Sequence, residues 1–118
     1  MTMLARIEER RLGDVAVASV HGEIDASNTE WLGTRLRGLL TNRSDALVVD
    51  LTRTTYLDSA GIALVFELAA ELRLHQQHLH LVLESGSPIA RMAQLTGLDE
   101  AVATYGSLEA ALRNTRAG

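Results

Sequence analysis

Asp58 and Ser59 stand at the start of a strongly apolar segment that is predicted to be helical over residues 59–76. A helix start needs one short polar side chain to accept a hydrogen bond from an unpaired backbone N–H, and either residue can supply it. If Asp58 is the N-cap, the Ser59 hydroxyl occupies the first helical position and faces solvent. A phosphoryl group there would lie at the positive end of the helix dipole, beside unpaired N–H groups. The pair therefore predicts a serine that can be phosphorylated without loss of the helix.

Redundant capping is the alternative interpretation of this pair, because a cap is worth about 0.5–2 kcal/mol and explains one of the two residues. Phosphorylation would instead add about −1.5 to −2 charges to the surface at pH 7, beside Asp25 and Asp58. A partner fitted to the neutral surface would then be repelled. Both interpretations are compatible with the residues alone.

Gly61 and Leu64 indicate contact with another chain. Glycine within the first turn of a helix costs up to about 1 kcal/mol relative to alanine, which indicates that another backbone or chain approaches closely. Leu64 lies off the core-facing stripe and is expected to be partly exposed beside Ser59, although a single exposed leucine is ordinary. The stripe itself consists of Ile62, Val65, Phe66, Ala69 and Leu72.

The residues discussed above are positioned by strands and helices, which are predicted to alternate along the chain. A β-hairpin is predicted at the N-terminus, around the turn Leu12-Gly13-Asp14, from the β-branched run that follows it. Further strands are predicted at residues 46–51, at 80–83 and within 99–104. Helices are predicted at residues 28–41, at 59–76, from Pro88 to Gly97 and after the cap Ser107.

This order predicts one small α/β domain over residues 1–118, with its core at about 4–113. The sheet should be mixed and mostly parallel, with four to five strands and about four helices. In such sheets, functional groups lie past the carboxyl ends of the parallel strands.

Two loops, residues 22–27 and 52–59, leave the carboxyl ends of strands in this arrangement. Ser27 and Glu30 fit a capping box for the first helix, which would leave the carboxylate of Asp25 free. Asp25, Asp58 and Ser59 are therefore expected at one edge of the domain.

The composition excludes several classes of protein. With 118 residues and 47% apolar content, the chain is predicted to be an ordered domain. It contains no apolar run near the ~20 residues that span a bilayer, so membrane insertion is not expected. The N-terminus lacks the apolar core of a signal peptide and the chain has no cysteine, so a cytoplasmic location is expected. A net charge of −4 and 3% aromatic residues argue against direct nucleic-acid binding.

Three segments carry a family resemblance. "DLTRTTYLDSAGIALV" resembles the signature segment of STAS domains, and "VHGEIDASN" resembles the strand of that family that ends in Gly-Glu-hydrophobic-Asp. "SPIARMAQLTGLDEAVATYGSLEAAL" is similar to the C-terminal helices and strand of the family. The likeness runs in order from about Ile7 to Leu112.

The resemblance to anti-sigma factor antagonists within this family implies a regulatory protein that is not an enzyme. It implies that Ser59 is phosphorylated by a GHKL-type partner that is both a serine kinase and an anti-sigma factor. The unphosphorylated protein would bind this partner, phosphorylation would release it, and a PP2C-type phosphatase would reset the cycle. Asp25 would contribute to kinase recognition. The expected partner surface comprises Asp25, Asp58, Ser59, Gly61 and Leu64.

Two departures from the family pattern concern the residues after Ser59. Ala60 replaces the common Ser or Thr, which leaves Ser59 without the usual second hydroxyl next to it, and Gly-Ile-Ala replaces Gly-Leu-Gly. The fold also serves other members as an accessory subunit of lipid-trafficking ABC transporters or as a stressosome-type scaffold module. These two roles are the alternatives to sigma-factor regulation.

Catalytic and metal-binding interpretations are weaker. A serine hydrolase would carry a G-x-S-x-G elbow, which Asp-Ser-Ala-Gly lacks, and a phospho-aspartate receiver would need a lysine, which the chain does not contain. His75, His78 and His80 fall across a helix end and a strand, so their side chains need not converge on a metal. Without a Gly-rich phosphate loop, no cofactor is expected.

Overall fold

The computed structural model describes residues 4–41 and 44–117, and within them the chain forms six strands and five helices. The strands are β1 (Ala5–Leu12), β2 (Val15–Ile24), β3 (Ala46–Asp50), β4 (Thr54–Leu57), β5 (His78–Val82) and β6 (Ala103–Tyr105). The helices are α1 (Thr29–Gly38), α2 (Ser59–Leu74), α3 (Pro88–Thr96), α4 (Leu98–Ala101) and α5 (Leu108–Ala117).

All six strands of the described chain belong to one mixed sheet, in the order β1-β2-β3-β5-β6, with β4 paired to the end of β2. The β1–β2 hairpin is antiparallel and the other pairings are parallel. This confirms the predicted small α/β domain with a mostly parallel sheet. The expected counts of four to five strands and about four helices were too low.

β4 and α4 account for the difference. The four residues of β4 looked like a polar link because so short a segment shows no periodicity, yet they pair with the last residues of β2, with Ile24 beside Leu57. An extended segment was predicted within residues 99–104, but the strand there is limited to Ala103–Tyr105, and residues 98–101 are helical. Gly97 adopts a left-handed conformation with φ of 78°, and the buried side chain of Leu98 anchors a single helical turn there.

The apolar residues form two clusters, one on each face of the sheet. The larger cluster lies under α1 to α4 and includes Leu32 and Leu68. The smaller lies under α5 and includes Val48 and Ala111. β3 is buried on both faces except at Asp50, as its continuous apolar run predicted. Burial of each large aliphatic side chain stabilises the fold by ~1.5–3 kcal/mol, and Leu47, Val48 and Val49 of β3 contribute to this.

α1 and α2 begin within one residue of the predicted positions but end earlier. α1 stops at Gly38 instead of 41, where Arg11 of β1 donates a hydrogen bond to the Leu39 carbonyl at 2.7 Å. α2 stops at Leu74 instead of 76, and Gln76 takes a φ of 55° that a helix cannot continue. The N-terminal boundaries of α1 and α2, which position the candidate site, were thus predicted more accurately than their C-terminal boundaries.

Candidate functional site

The carboxyl ends of β2 and β4 place the candidate residues side by side. Ile24 and Leu57 are partners in the parallel register, and the Asp58 N–H donates to the Ile24 carbonyl at 3.3 Å. Asp25 and Asp58 directly follow this pair, and neighbouring strands lie ~4.8 Å apart. The structure therefore brings Asp25, Asp58 and Ser59 to one edge of the sheet, as expected.

Asp58 is the N-cap of α2. Its Oδ1 atom accepts a hydrogen bond from the Gly61 N–H at 3.1 Å, and its backbone is extended with φ of −98° and ψ of −172°. Ser59 is the first helical residue and is exposed, and its hydroxyl has no hydrogen-bond partner among the described residues. Asp58 alone thus satisfies the capping requirement, and the Ser59 hydroxyl is left free.

Gly61 is buried against side chains of this same chain. A Cβ atom at this position would lie 2.3 Å from Leu57 Cδ1 and 3.0 Å from Ile24 Cγ2. The close approach predicted at Gly61 comes from side chains of this same chain: glycine is needed because α2 begins directly on top of the strand ends. Gly61 therefore shapes the edge from beneath and is not available on its surface.

Leu64 is also buried, with an exposed fraction of 6%. Its Cδ1 atom would lie 3.0 Å from a Cβ on Gly33, which places it against α1. The expectation of partial exposure was wrong because α1 covers a second side of α2, a tertiary contact that helical periodicity does not reveal. Of the five residues expected in the partner surface, Asp25, Asp58 and Ser59 remain accessible.

The loop between β2 and α1 is held by Asp25. The Asp25 carboxylate accepts hydrogen bonds from the Ser27 hydroxyl and from the Ser27 N–H, at 2.5 and 2.8 Å. These two bonds, the hydroxyl bond first, stabilise the ionised form and lower the pKa of Asp25 below its ordinary value. The predicted capping box was wrong: Ser27 bonds to Asp25, and Asn28 occupies the N-cap position of α1. The Asp25 carboxylate is consequently engaged and not free.

Tyr56 belongs to the same edge and was not identified from the sequence. It lies in register with Glu23, and the two side chains project from the sheet face opposite to Ile24 and Leu57. Tyr56 is 48% exposed and presents an aromatic ring and a hydroxyl at this edge. The alternation of an outward Tyr56 with an inward Leu57 would have identified it once β4 was recognised. We call Glu23, Asp25, Tyr56, Asp58 and Ser59 the Ser59 edge.

A groove of about 580 Å³ runs between α1 and α2 next to this edge. Ala60 and Ala63 lie along one side of it, and Glu30 and Glu67 contribute carboxylates. Arg37 also lines the groove, but its Nε and Nη2 atoms donate to the two carboxylate oxygens of Glu71, at 2.8 and 3.0 Å. This pairing raises the pKa of Arg37 and lowers the pKa of Glu71. The surroundings of Ser59 are thus predominantly acidic.

The histidines lie elsewhere. His75 ends α2, while His78 and His80 lie on β5, where His80 Nδ1 is 3.2 Å from the Tyr105 hydroxyl. Partial burial, followed by the nearby His78, lowers the pKa of His80. In the described part of the chain, no three His, Cys, Asp or Glu residues are grouped as metal ligands, and no helix has the length and apolar character to cross a membrane.

Comparison with known proteins identifies the family. Residues 7–109 match the family described as "Mlab, STAS domain". The chain is a STAS domain. It is 31% identical over 104 residues to the anti-sigma-F factor antagonist RsfB of Mycobacterium tuberculosis, an alignment that covers 88% of this STAS domain and 84% of RsfB.

Solved structures agree with this assignment. The crystal structure of an anti-sigma factor antagonist from Mycobacterium paratuberculosis superposes with a TM-score of 0.84 at 27% identity, covering 95% of this STAS domain and 94% of that chain. The Bacillus cell fate determinant SpoIIAA in its phosphorylated form has the same fold, with a TM-score of 0.64 at 20% identity, covering 92% and 98% of the two chains. The family resemblance drawn from the three sequence segments is therefore confirmed.

Proposed function

We propose that this STAS domain is an anti-sigma factor antagonist that acts by partner switching at Ser59. In its unphosphorylated form it binds an anti-sigma factor that is also a serine kinase of the GHKL type. Phosphorylation of Ser59 releases that partner, and a PP2C-type phosphatase restores the original form. The names of the mycobacterial relatives support the antagonist role.

The observation that carries this proposal is the division of roles between Asp58 and Ser59. Asp58 caps α2, so the Ser59 hydroxyl is exposed at the first helical position and has no partner within the described chain. A kinase could engage this hydroxyl without breaking a hydrogen bond of the fold. In the reaction, Ser59 Oγ would attack the γ-phosphorus of ATP held by the kinase. The bond between that phosphorus and ADP would break, and the hydroxyl proton would pass to a base on the kinase.

The start of α2 is suited to hold the resulting phosphate. The first N–H groups of a helix have no partner within it. Asp58 accepts from the N–H groups of Gly61 and Ile62, through its side chain and its carbonyl. The N–H groups of Ser59 and Ala60 are therefore positioned to donate to a phosphate on Ser59. That SpoIIAA, a protein of the same fold, was solved in a phosphorylated form is consistent with this capacity.

The acidic surroundings explain how phosphorylation would release the partner. Glu23, Asp25 and Asp58 already place negative charge at the Ser59 edge, and phosphorylation adds about −1.5 to −2 charges at pH 7. A partner that presents acidic groups or nucleotide phosphates to Ser59 would then be repelled. In this proposal the protein acts in the cytoplasm through protein partners, binds no nucleic acid directly and catalyses no reaction itself.

A second candidate function follows from the description of the matching family, which names Mlab. In that case the domain would be an accessory subunit of a lipid-trafficking ABC transporter, and a stressosome-type scaffold module is a related possibility. The two classes differ in their partners. Capture of a GHKL-type ATPase by the purified domain supports sigma-factor regulation, whereas capture of a transporter ATPase favours the accessory-subunit role.

The direct test is the intact mass of the protein after incubation with its GHKL-type partner and ATP. Wild type should gain one phosphoryl group and Ser59→Ala should gain none. Ser107→Ala is a matched control, since it removes another exposed serine hydroxyl at a helix start and should be phosphorylated like wild type. Phosphorylation of Ser59→Ala, or of no variant, would contradict the proposal.

A further inference from the structure

Asn28 stands at the N-cap of α1 but does not cap the helix. Its side chain makes no hydrogen bond to the α1 backbone. Instead, Oδ1 accepts from the Asp25 N–H at 3.0 Å, and Nδ2 donates to the Glu23 carbonyl at 2.8 Å. An asparagine at an N-cap ordinarily accepts from the second or third helical N–H. Asn28 therefore uses its side chain to bind the end of β2 and not to start the helix.

These bonds complete a set that fixes Asp25 from three sides. The Asp25 N–H donates to Asn28, and its carbonyl accepts from the N–H groups of Asn28 and Thr29, both at 3.1 Å. Its carboxylate accepts the two bonds from Ser27 described above. On the other side, the Ile24 carbonyl is bonded to the Asp58 N–H. Asp25 is thus a loop residue whose backbone polar groups are all engaged.

We propose that Asn28 is a positioning residue that holds the Asp25 carboxylate beside Asp58 and Ser59 for recognition by the kinase. This inference rests on the proposed function, in which Asp25 contributes to kinase recognition. Asn28 acts only through Asp25. Its two side-chain bonds set where β2 ends and how the loop turns toward α1, and this determines the direction of the Asp25 carboxylate.

A purely stabilising role would call for a different arrangement. Asn28 is partly exposed and takes no part in either hydrophobic cluster. Had the side chain served α1, it would bond to the helix N–H groups, as Asp58 does in α2. The two bonds instead reach the Glu23 carbonyl and the Asp25 N–H, on either side of Ile24. Loss of Asn28 should therefore disorder this segment more than it destabilises the fold.

The first test needs no partner. We expect Asn28→Ala to raise the pKa of Asp25 toward its ordinary value, measured by carboxyl ¹³C NMR titration, because the loop that brings Ser27 to the carboxylate is released. Asn114→Ala is the matched control: it removes a 2.8 Å side-chain-to-backbone bond on α5 and should leave this pKa unchanged. An Asp25 pKa in Asn28→Ala equal to that of wild type would overturn the positioning role.

The second test measures kcat/KM for phosphorylation of Ser59 by the kinase that modifies wild type. Asn28→Ala should lower it on the order of tenfold, mainly through KM, and Asn114→Ala should not change it. Asn28→Asp retains the acceptor for the Asp25 N–H and should recover part of the loss. If Asn28→Ala fails to fold, Asn28→Ser replaces it in both tests, because it lacks the Nδ2 donor to the Glu23 carbonyl and adds no charge beside Asp25.

The two tests distinguish a failure of the proposed function from a failure of the positioning role of Asn28. If no kinase modifies wild type, the proposed function fails while the NMR titration still decides whether Asn28 holds Asp25. If the pKa of Asp25 rises but kcat/KM stays at the wild-type value, the loop is positioned by Asn28 without consequence for recognition, and the inference is wrong.

Discussion

α1 and α2 begin at the same edge of the sheet and start in opposite ways. At α2, the Asp58 side chain caps the helix, and the next hydroxyl, that of Ser59, has no partner among the residues that the structure describes. At α1, Asn28 gives its side chain to the preceding strand, and Asp25 and Ser27 bond to each other. One turn therefore exposes a free nucleophile, whereas the other fixes a carboxylate in place.

The difference shows how one surface can hold both a reacting group and a recognition group. A hydroxyl that is to accept a phosphoryl group must not be needed by the fold, because its modification would otherwise destabilise the helix. A carboxylate that is to be recognised gains from being held in one orientation, since less conformational entropy is lost on binding. The two helix starts satisfy these opposite requirements.

The largest expected effect on stability is at Gly61, which seats α2 on the strand ends. Gly61→Ala places a Cβ 2.3 Å from Leu57 Cδ1, and Leu57 is only 2% exposed and has little room to move. We expect the free energy of unfolding to fall by about 1–3 kcal/mol in chemical denaturation. Gly38→Ala is the control: nothing lies within 4 Å of its Cβ position, and it should stabilise the protein by about 0.4–1 kcal/mol. Equal stability of the two variants would show that α2 does not rest on Leu57.

A smaller effect separates the roles of Asp58 and Ser59. Asp58→Ala removes the hydrogen bond to the Gly61 N–H and should lower the free energy of unfolding by about 1 kcal/mol. Ser59→Ala removes a hydroxyl without a partner in the described chain and should leave stability unchanged. Thermal and denaturant unfolding of the two variants check this. The reverse order of effects would mean that Ser59 is the cap and would remove the physical basis for a free hydroxyl.

The smallest effect is expected at Asp25, where the pKa is lowered chiefly by the Ser27 hydroxyl. Because the folded state favours the ionised carboxylate, this contribution to stability is present above the unfolded pKa of about 3.9 and is lost as the pH falls through the folded pKa. Ser27→Ala should raise the pKa of Asp25 in an NMR titration, with Ser107→Ala unchanged as control. If the pKa of Asp25 does not rise in Ser27→Ala, the Ser27 hydroxyl does not hold the carboxylate.

The sequence predicted α2 better than α1 for a physical reason. The cap of α2 is a local interaction between Asp58 and a residue three positions later, and such spacing is visible in a sequence. Ser27 and Glu30 show the same kind of spacing, but the Ser27 hydroxyl donates to the charged Asp25 carboxylate two residues away, and α1 begins after Asn28. Spacing alone does not show whether the Ser27 hydroxyl accepts from the helix or donates to Asp25.

Burial at the edge was predicted less well because it depends on neighbouring elements. Leu64 is covered by α1, and β4 exists because it adds to the end of β2. Neither contact leaves a periodic signal in its own segment. For the same reason Tyr56 could not be recognised as an exposed residue of the edge until its strand was known. The edge itself was predictable, since parallel strands bring their carboxyl ends together.

The most direct test of partner switching is the affinity of the protein for its GHKL-type anti-sigma factor, measured by calorimetry for wild type, Ser59→Ala and Ser59→Asp. We predict that wild type and Ser59→Ala bind with similar affinity, and that ATP releases wild type but not Ser59→Ala. Ser59→Asp should bind more weakly, on the order of a hundredfold, because it adds negative charge beside Asp25 and Asp58. The account would be contradicted if all three proteins bound with equal affinity and ATP released none of them.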